Sequence, residues 1–316
     1  MPRLNLREER GVSAVLVALL IIPLCGFAAI AVDGAAVYSE RRQLQNGADA
    51  AALAIAYDCA TGAPACGSSQ ATAIELTEAN YDEAGSTHGT PVVTLSSSEV
   101  TVVNPGVQDH WLAPVIGVES TGVTGSATVR WGAPGSGTAV LPLAFSWCAF
   151  NDQTGGGVPT GSDPVVIDWT KTDGTTCTGP SNLEVPGGFG WLDSDDGSCD
   201  ATTTIDEIAY SSTGAAVPSE CTPEYFRTLV GETVLLPIFD QSESSGGSAW
   251  YRIHGYAAFT VTGYNFAGQY YTSPKPCTGA SRCIEGYFTQ FVDSTEEFDY
   301  DPTAPDLGAR VISLIA

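Results

Sequence analysis

The feature that most constrains this chain is an uncharged run of 22 residues, Gly11 to Val32. Such a run can cross the roughly 30 Å hydrocarbon core of a bilayer as one helix. It exceeds the h-region of a cleavable signal peptide, about 7–15 residues, although Ala29-Ile30-Ala31 has the small-x-small pattern of a cleavage site. Pro23 and Gly26 sit mid-span, where they are tolerated and bend the helix. Arg3, Arg7 and Arg10 precede the run, diluted by Glu8 and Glu9. Basic flanks are retained in the cytoplasm. The expected topology is a single pass through the cell membrane, with residues 1–10 cytoplasmic, 11–32 in lipid and everything after Asp33 extracytoplasmic.

The helical pattern does not stop at the membrane boundary. Between Asp33 and Ala56, Ala36, Val37, Leu44, Ala48, Ala51, Ala52 and Ile55 recur close to i, i+3/i+4, with Glu40, Arg41, Arg42, Gln45 and Asp49 between them. Residues 33–57 therefore continue the anchor as an extracytoplasmic helix. One helix from Val12 to Tyr57 would be about 65–70 Å long at about 1.5 Å per residue. Its outer half needs a partner for an alanine-rich stripe.

These residues carry a resemblance. Arg10-Gly11-Val12-Ser13-Ala14-Val15, the apolar run, Val32-Asp33, Tyr38, Arg41-Arg42-Gln43-Leu44-Gln45 and Ala48-Asp49-Ala50-Ala51-Ala52-Leu53-Ala54 resemble, in order and spacing, the N-terminal segment of TadE/TadG-like Flp pilus-assembly proteins. The likeness covers about residues 8–56, and Gly11, Asp33, Gln45, Asp49, Ala52 and Leu53 stand at its motif positions. It implies a single-pass envelope protein with an outward C-terminal domain, working in assembly of tight-adherence (Flp) pili. The cysteine-rich remainder resembles the actinobacterial branch. Prepilins of such systems place a Glu five residues after the cleavage-site Gly; counted from Gly11 that position is Leu16, so the likeness does not extend to prepilin processing.

Charge narrows the partners. With 36 acidic and 12 basic side chains the formal net charge is -24, which repels phosphate backbones and argues against a nucleic-acid partner. The residues after the span hold 34 of the acids and nine of the bases, a net -25. Cysteine usage follows the same division. Cys25 lies within the apolar run as a small apolar residue. The other eight, Cys59, Cys66, Cys148, Cys177, Cys199, Cys221, Cys277 and Cys283, lie on the side expected to be oxidising and read as disulfides. Connectivity does not follow from sequence; short loops favour Cys59–Cys66 and Cys277–Cys283, leaving Cys148–Cys177 and Cys199–Cys221 as the preferred pairs of the rest.

The expected fold class is α+β, a long transmembrane helix extending into a β-rich, disulfide-stabilised extracytoplasmic domain. Residues 58–132 read as a small helix-plus-sheet region, with a helix over 69–84, a hairpin over 91–95 and 99–103, a helical turn within 109–116 and an alternating strand over 123–131. Gly132-Ala133-Pro134-Gly135-Ser136-Gly137-Thr138 reads as a linker. Beyond it, 139–316 reads as a β-rich domain with strands over 165–170, 205–210, 233–239, 251–264, 287–292 and 311–315. A helix is expected at 223–230, opened by Pro223, and Pro186-Gly187-Gly188-Phe189-Gly190-Trp191-Leu192 reads as a tight turn whose aromatics cover the core.

Site chemistry is sparse. Asp240-Gln241-Ser242-Glu243-Ser244 matches the Asp-x-Ser-x-Ser metal motif of von Willebrand A domains, but that site takes further oxygen ligands from later loops of a doubly wound sheet. Asp193, Asp195 and Asp196 concentrate hard oxygens, yet from Asp193 the Gly arrives one place early for an EF-hand and position 12 is Thr204. Asp193, Asp195, Asp196, Asp240, Ser242 and Ser244 are thus weak metal candidates. The acidic stretch Asp293, Glu296, Glu297, Asp299 and Asp301 reads as a solvated segment. No Gly-x-Ser-x-Gly elbow, His-Glu-x-x-His or P-loop is present, and His88, His110 and His254 stand in unrelated contexts. The expectation is a non-enzymatic protein without a cofactor, its partners being membrane lipid and pilus-assembly or pilin proteins. The alternatives are a membrane-tethered adhesin using the aromatics Tyr251 to Tyr271 or the acidic loops, and a secreted hydrolase.

Overall fold

The computed structural model of the chain describes residues 9–81, 86–212, 214–245, 248–295 and 297–315. The segment expected in the cytoplasm lies outside them through residue 8, as does Glu296. A single helix, α1 (Glu9–Thr61), covers both the apolar run and its continuation. Residues 13 onward of this helix are long and apolar enough to cross a membrane, and none of the most apolar window is covered by the rest of the protein. Phe27 is 71 % exposed and Ile30 72 %. Apolar surface of that extent is unfavourable in water, where leaving a large aliphatic or aromatic side chain exposed costs about 1.5–3 kcal/mol each. The chain divides into two compact units, Met1–Ile55 with Ala65–Thr128 and Leu314–Ala316, and Ala56–Pro64 with Val129–Ser313.

In the first unit the C-terminal half of α1 meets a small antiparallel sheet and a second helix, α2 (Ser69–Ala79). The strand Glu99–Asp109 lies between Ser86–His88 and Ser120–Gly132 and also pairs with Val92–Leu95, the expected hairpin. Its residues Val100, Val102, Asn104 and Gln108 alternate inward, the period of a strand with one face on a core. Helix α2 ends at Ala79 within the expected span 69–84, of which residues 82–84 lie outside the described residues. The Asn80 side chain donates from Nδ2 to the Leu76 carbonyl, a local bond that competes with continuing the helix. The helical turn at 109–116 is confined to Ala113–Ile116 and ends on Gly117 with φ 87°, the left-handed conformation that glycine adopts without strain.

The second unit is built on an eight-stranded sheet. Its axis is the hairpin of Thr233–Ser245 and Ser248–Ala267, flanked by Leu143–Ser146 and Phe189–Trp191 on one side and Cys283–Thr289 and Val165–Asp168 on the other. Residues Tyr256 to Val261 are all buried, so the central strand is covered on both faces and reads as a continuous apolar run. Phe145, Phe259, Phe288 and Phe150 pack with centroids 4.6–5.2 Å apart, and Trp191, Phe226 and Phe266 form a second set. Helix α3 (Trp147–Thr154) is capped by the Ser146 hydroxyl, which accepts from the Ala149 N–H. The helix at Pro223–Thr228 is capped by Thr222 in the same way.

Three readings change. The Gly-rich stretch read as a linker is strand: Pro134–Ala139 pairs with Ala201–Thr204 and Phe298–Tyr300. A Cβ on Gly137 would lie 2.2 Å from Phe298 Cδ1, and one on Gly135 2.3 Å from Asp301 Cβ. Glycine in these positions admits a neighbouring side chain onto the backbone, a use that composition cannot distinguish from a flexible linker. The turn at 186–192 is likewise strand from Phe189 to Trp191, with both aromatics fully buried. The strand expected over 205–210 begins at Ile208, after Asp206 takes a positive φ of 63°.

Candidate functional site

The motif positions of α1 converge on one arrangement in the first unit. Leu44 and Ala48 are fully buried, and the helix backbone beside Leu44 is approached closely by the sheet. A Cβ on Gly125 would lie 2.4 Å from Gln45 N and from Leu44 C, and one on Gly106 2.7 Å from Leu44 Cδ1. Close approach lets side chains bond to main chain. The Gln45 amide spans Ser126, donating to its carbonyl (2.8 Å) and accepting from its N–H (3.1 Å), while also donating to Asp49 Oδ1 at 2.7 Å. Gln45 therefore continues the strand's hydrogen bonding, and Asp49 orients it. Deeper in, Asn104 is 0 % exposed. It donates to the Leu44 carbonyl (3.0 Å) and accepts from the Thr77 hydroxyl (3.1 Å), joining α1, α2 and the central strand.

Asp33 makes the second anchor point. Its carboxylate accepts from the backbone N–H groups of Trp111 (2.8 Å), Leu112 (3.2 and 3.3 Å) and Ala113 (2.7 Å). These are the free donors at the start of the Ala113–Ile116 turn, which a carboxylate satisfies well. Burial pushes the Asp33 carboxyl upward, but the three amides and the nearby His110 outweigh it and hold the group below its ordinary value. An apolar groove of about 800 Å³ opens beside this contact, lined on α1 by Ile21, Cys25, Gly26, Ala29 and Ile30 and across from them by Leu112, Ala113 and Val115.

Over residues 11–56 the chain matches the family model "Putative Flp pilus-assembly TadE/G-like". Its N-terminal segment is TadE/G-like. No curated protein and no solved structure matches the chain. Within the TadE/G-like segment Gly11 lies in α1, Ala52 is fully buried and Leu53 faces outward. The helical pattern places Glu40 among the polar residues between the stripe, yet it is 2 % exposed, and among the described residues its Oε1 has no hydrogen-bond partner. Asn104, Gly106 and Gly125 were not singled out either. The available signal was phase: Asn104 occupies an inward position in a run that alternates Val100, Val102, Asn104.

The remaining candidates lie apart from this arrangement, in the second unit. Asp240, Ser242 and Ser244 are residues of the paired strand Thr233–Ser245, where the von Willebrand motif requires a loop. Asp240, 1 % exposed, receives Arg252 Nη1 on both oxygens at 3.1 Å, and Arg252 also pairs with Asp206. The acidic loop closes on itself: Asp193 accepts from the N–H and hydroxyl of Ser212, Asp195 from the N–H and hydroxyl of Thr202, and Asp196 is exposed. The described residues hold one cluster with metal-ligand spacing, Asp168 with Cys277 and Cys283, but those two sulfurs are joined to each other and offer no thiolate. Cys148–Cys177 and Cys199–Cys221 are also bonded pairs, Cys59 and Cys66 are disulfide-bonded too, and Cys25 is the free cysteine.

Two of the histidines pack against aromatic rings. His254 stacks edge-on against Trp147 at 5.3 Å, and burial pushes its pKa down, only partly countered by Asp240 and Asp206. His88 stacks on Tyr81. His110 Nε2 meets the Thr121 hydroxyl at 2.8 Å, and among the described residues its Nδ1 has no hydrogen-bond partner. Of the aromatics an adhesin would display, Tyr251, Tyr256, Phe259, Tyr264 and Phe266 are core residues, while Tyr270 is half-buried and Tyr271 is exposed.

Proposed function

We propose that the chain is a single-pass envelope protein that acts non-enzymatically in the assembly or support of Flp-type pili. The observation that carries the reading is the coincidence of the family-matched segment with α1: the same 46 residues hold an exposed apolar span and the motif side chains that lock the helix to a folded ectodomain. In this reading residues 11–32 form the anchor, the Arg3, Arg7 and Arg10 end faces the cytoplasm, and residues 33–57, 58–132 and 139–316 are extracytoplasmic. Disulfide bonding of all eight cysteines beyond the span supports an oxidising compartment for them. Small residues of the anchor, Ala14, Ala18, Gly26 and Ala29, would allow close approach of other membrane helices. The ectodomain would meet pilin or other pilus-assembly proteins.

The test is a deletion strain combined with affinity purification of the tagged full-length protein from its native membrane. The expected result is loss or reduction of surface pili and co-purification of pilus-assembly membrane proteins. A deletion strain that pilates normally, with no pilus component in the eluate, refutes the reading.

A further inference from the structure

We propose that the loop from Trp111 to Val118 is a membrane-inserted element, folded back along the apolar run of α1, with lipid acyl chains filling the groove between them. The inference rests on the anchor reading of α1. Four observations converge on it. First, the three N–H bonds to Asp33 fix the start of the loop at the residue where the apolar run ends. Second, Val115 shares its groove with Ile21, Cys25, Gly26 and Ala29, all within that run. Ile21 lies about 18 Å from Asp33 along the axis at about 1.5 Å per residue, more than half of a bilayer's hydrocarbon core. A loop lining that groove is beside lipid whenever the helix spans.

Third, the composition fits the depth. Trp111-Leu112-Ala113-Pro114-Val115-Ile116-Gly117-Val118 carries no charge and is bounded by Asp109, His110 and Glu119. Val115 is 90 % exposed and Trp111 73 %, an exposure of apolar surface that water opposes and a bilayer interface favours, with tryptophan at the headgroup boundary. Fourth, the loop's backbone donors at 111–113, 115, 117 and 118 are paired within the protein, which lowers the several-kcal/mol cost that lipid imposes on each unpaired polar group. The N–H groups of Trp111, Leu112 and Ala113 go to Asp33, Val115 bonds to the Leu112 carbonyl, Gly117 to Pro114 and Val118 to Ala113, while Pro114 has no N–H. The His110 N–H donates to the Glu119 carbonyl and closes the base of the loop.

The experiment uses the full-length protein reconstituted into phosphatidylcholine–phosphatidylglycerol vesicles whose phosphatidylcholine carries bromine on the acyl chains. Flotation with the vesicles tests the anchor. Tryptophan fluorescence of wild type and Trp111→Phe, in brominated and plain vesicles, tests the loop. The expected result is a bromine-quenched component in wild type that is lost in Trp111→Phe, and lost also in Val115→Glu, which still floats. Equal quenching of wild type and Trp111→Phe in protein that floats overturns the loop proposal and leaves the anchor standing. Shielding of Trp111 from aqueous iodide without bromine quenching also overturns it, because protein would then cover the groove. Failure to float removes the anchor itself.

Discussion

Gly125→Ala isolates the close approach on which the TadE/G-like segment docks. The added methyl would sit 2.4 Å from two main-chain atoms of α1, Gln45 N and Leu44 C, and 2.6 Å from Leu44 O. An ordinary contact is about 3.5–4.0 Å, so the strand and helix must separate by about 1 Å. No side chain can turn away, since the obstacles are backbone. Forced overpacking costs about 1–3 kcal/mol, and separation also breaks the two bonds between Gln45 and Ser126, about 0.5–1.5 kcal/mol each. The sum is about 2–6 kcal/mol. Gly122 is the control: it lies on the same strand, and a Cβ there meets nothing within 4 Å. Gly122→Ala should be neutral or stabilising by up to about 1 kcal/mol, through the unfolded chain. Native-state hydrogen exchange, followed by mass spectrometry on peptides covering 99–109 and 120–128, reports the loss locally. Protection in Gly125→Ala should fall by at least about 25-fold at 1.4 kcal/mol per factor of ten, with Gly122→Ala unchanged. Equal protection in the two variants would refute the docking geometry.

Two further expectations concern the second unit. His254 has a depressed folded pKa, so folding disfavours its charged form; this penalty is absent above the unfolded value near 6.5, grows as pH falls through it and is complete below the folded pKa. His254→Gln should therefore lose less melting temperature than wild type between pH 7.5 and 5.5, and identical losses would contradict the burial argument. The disulfides should rank by loop length. Removing Cys148–Cys177, separation 29, should cost about 3.6 kcal/mol and Cys277–Cys283, separation 6, about 2.2 kcal/mol in the chain-entropy relation; urea titration of the paired Cys→Ala variants checks the order, and a reversal rejects chain entropy as the dominant effect.

Much of this protein is written locally. The uncharged run of Gly11 to Val32 specifies a membrane-length helix because lipid leaves a single segment few other ways to satisfy its backbone. The i, i+3/i+4 stripe from Leu44 to Ile55 specifies its continuation beyond that run, and alternation specifies strands such as Glu99–Asp109 and Ser120–Gly132. Caps are local too: Thr222 before Pro223 and Ser146 before Trp147 mark helix starts. What periodicity could not supply is which partner each special residue meets. Asp33 looks like an ordinary boundary acid until the chain returns 78 residues later and presents three N–H groups to it. Gln45 and Asp49 look like solvated positions until Ser126 arrives. The glycines at 135 and 137 read as a linker, yet they, like Gly106 and Gly125, hold open spaces into which another element packs. Sequence fixes what a segment can do with its own backbone; contacts between distant segments depend on shape and registry in three dimensions, and only the tertiary structure decides those.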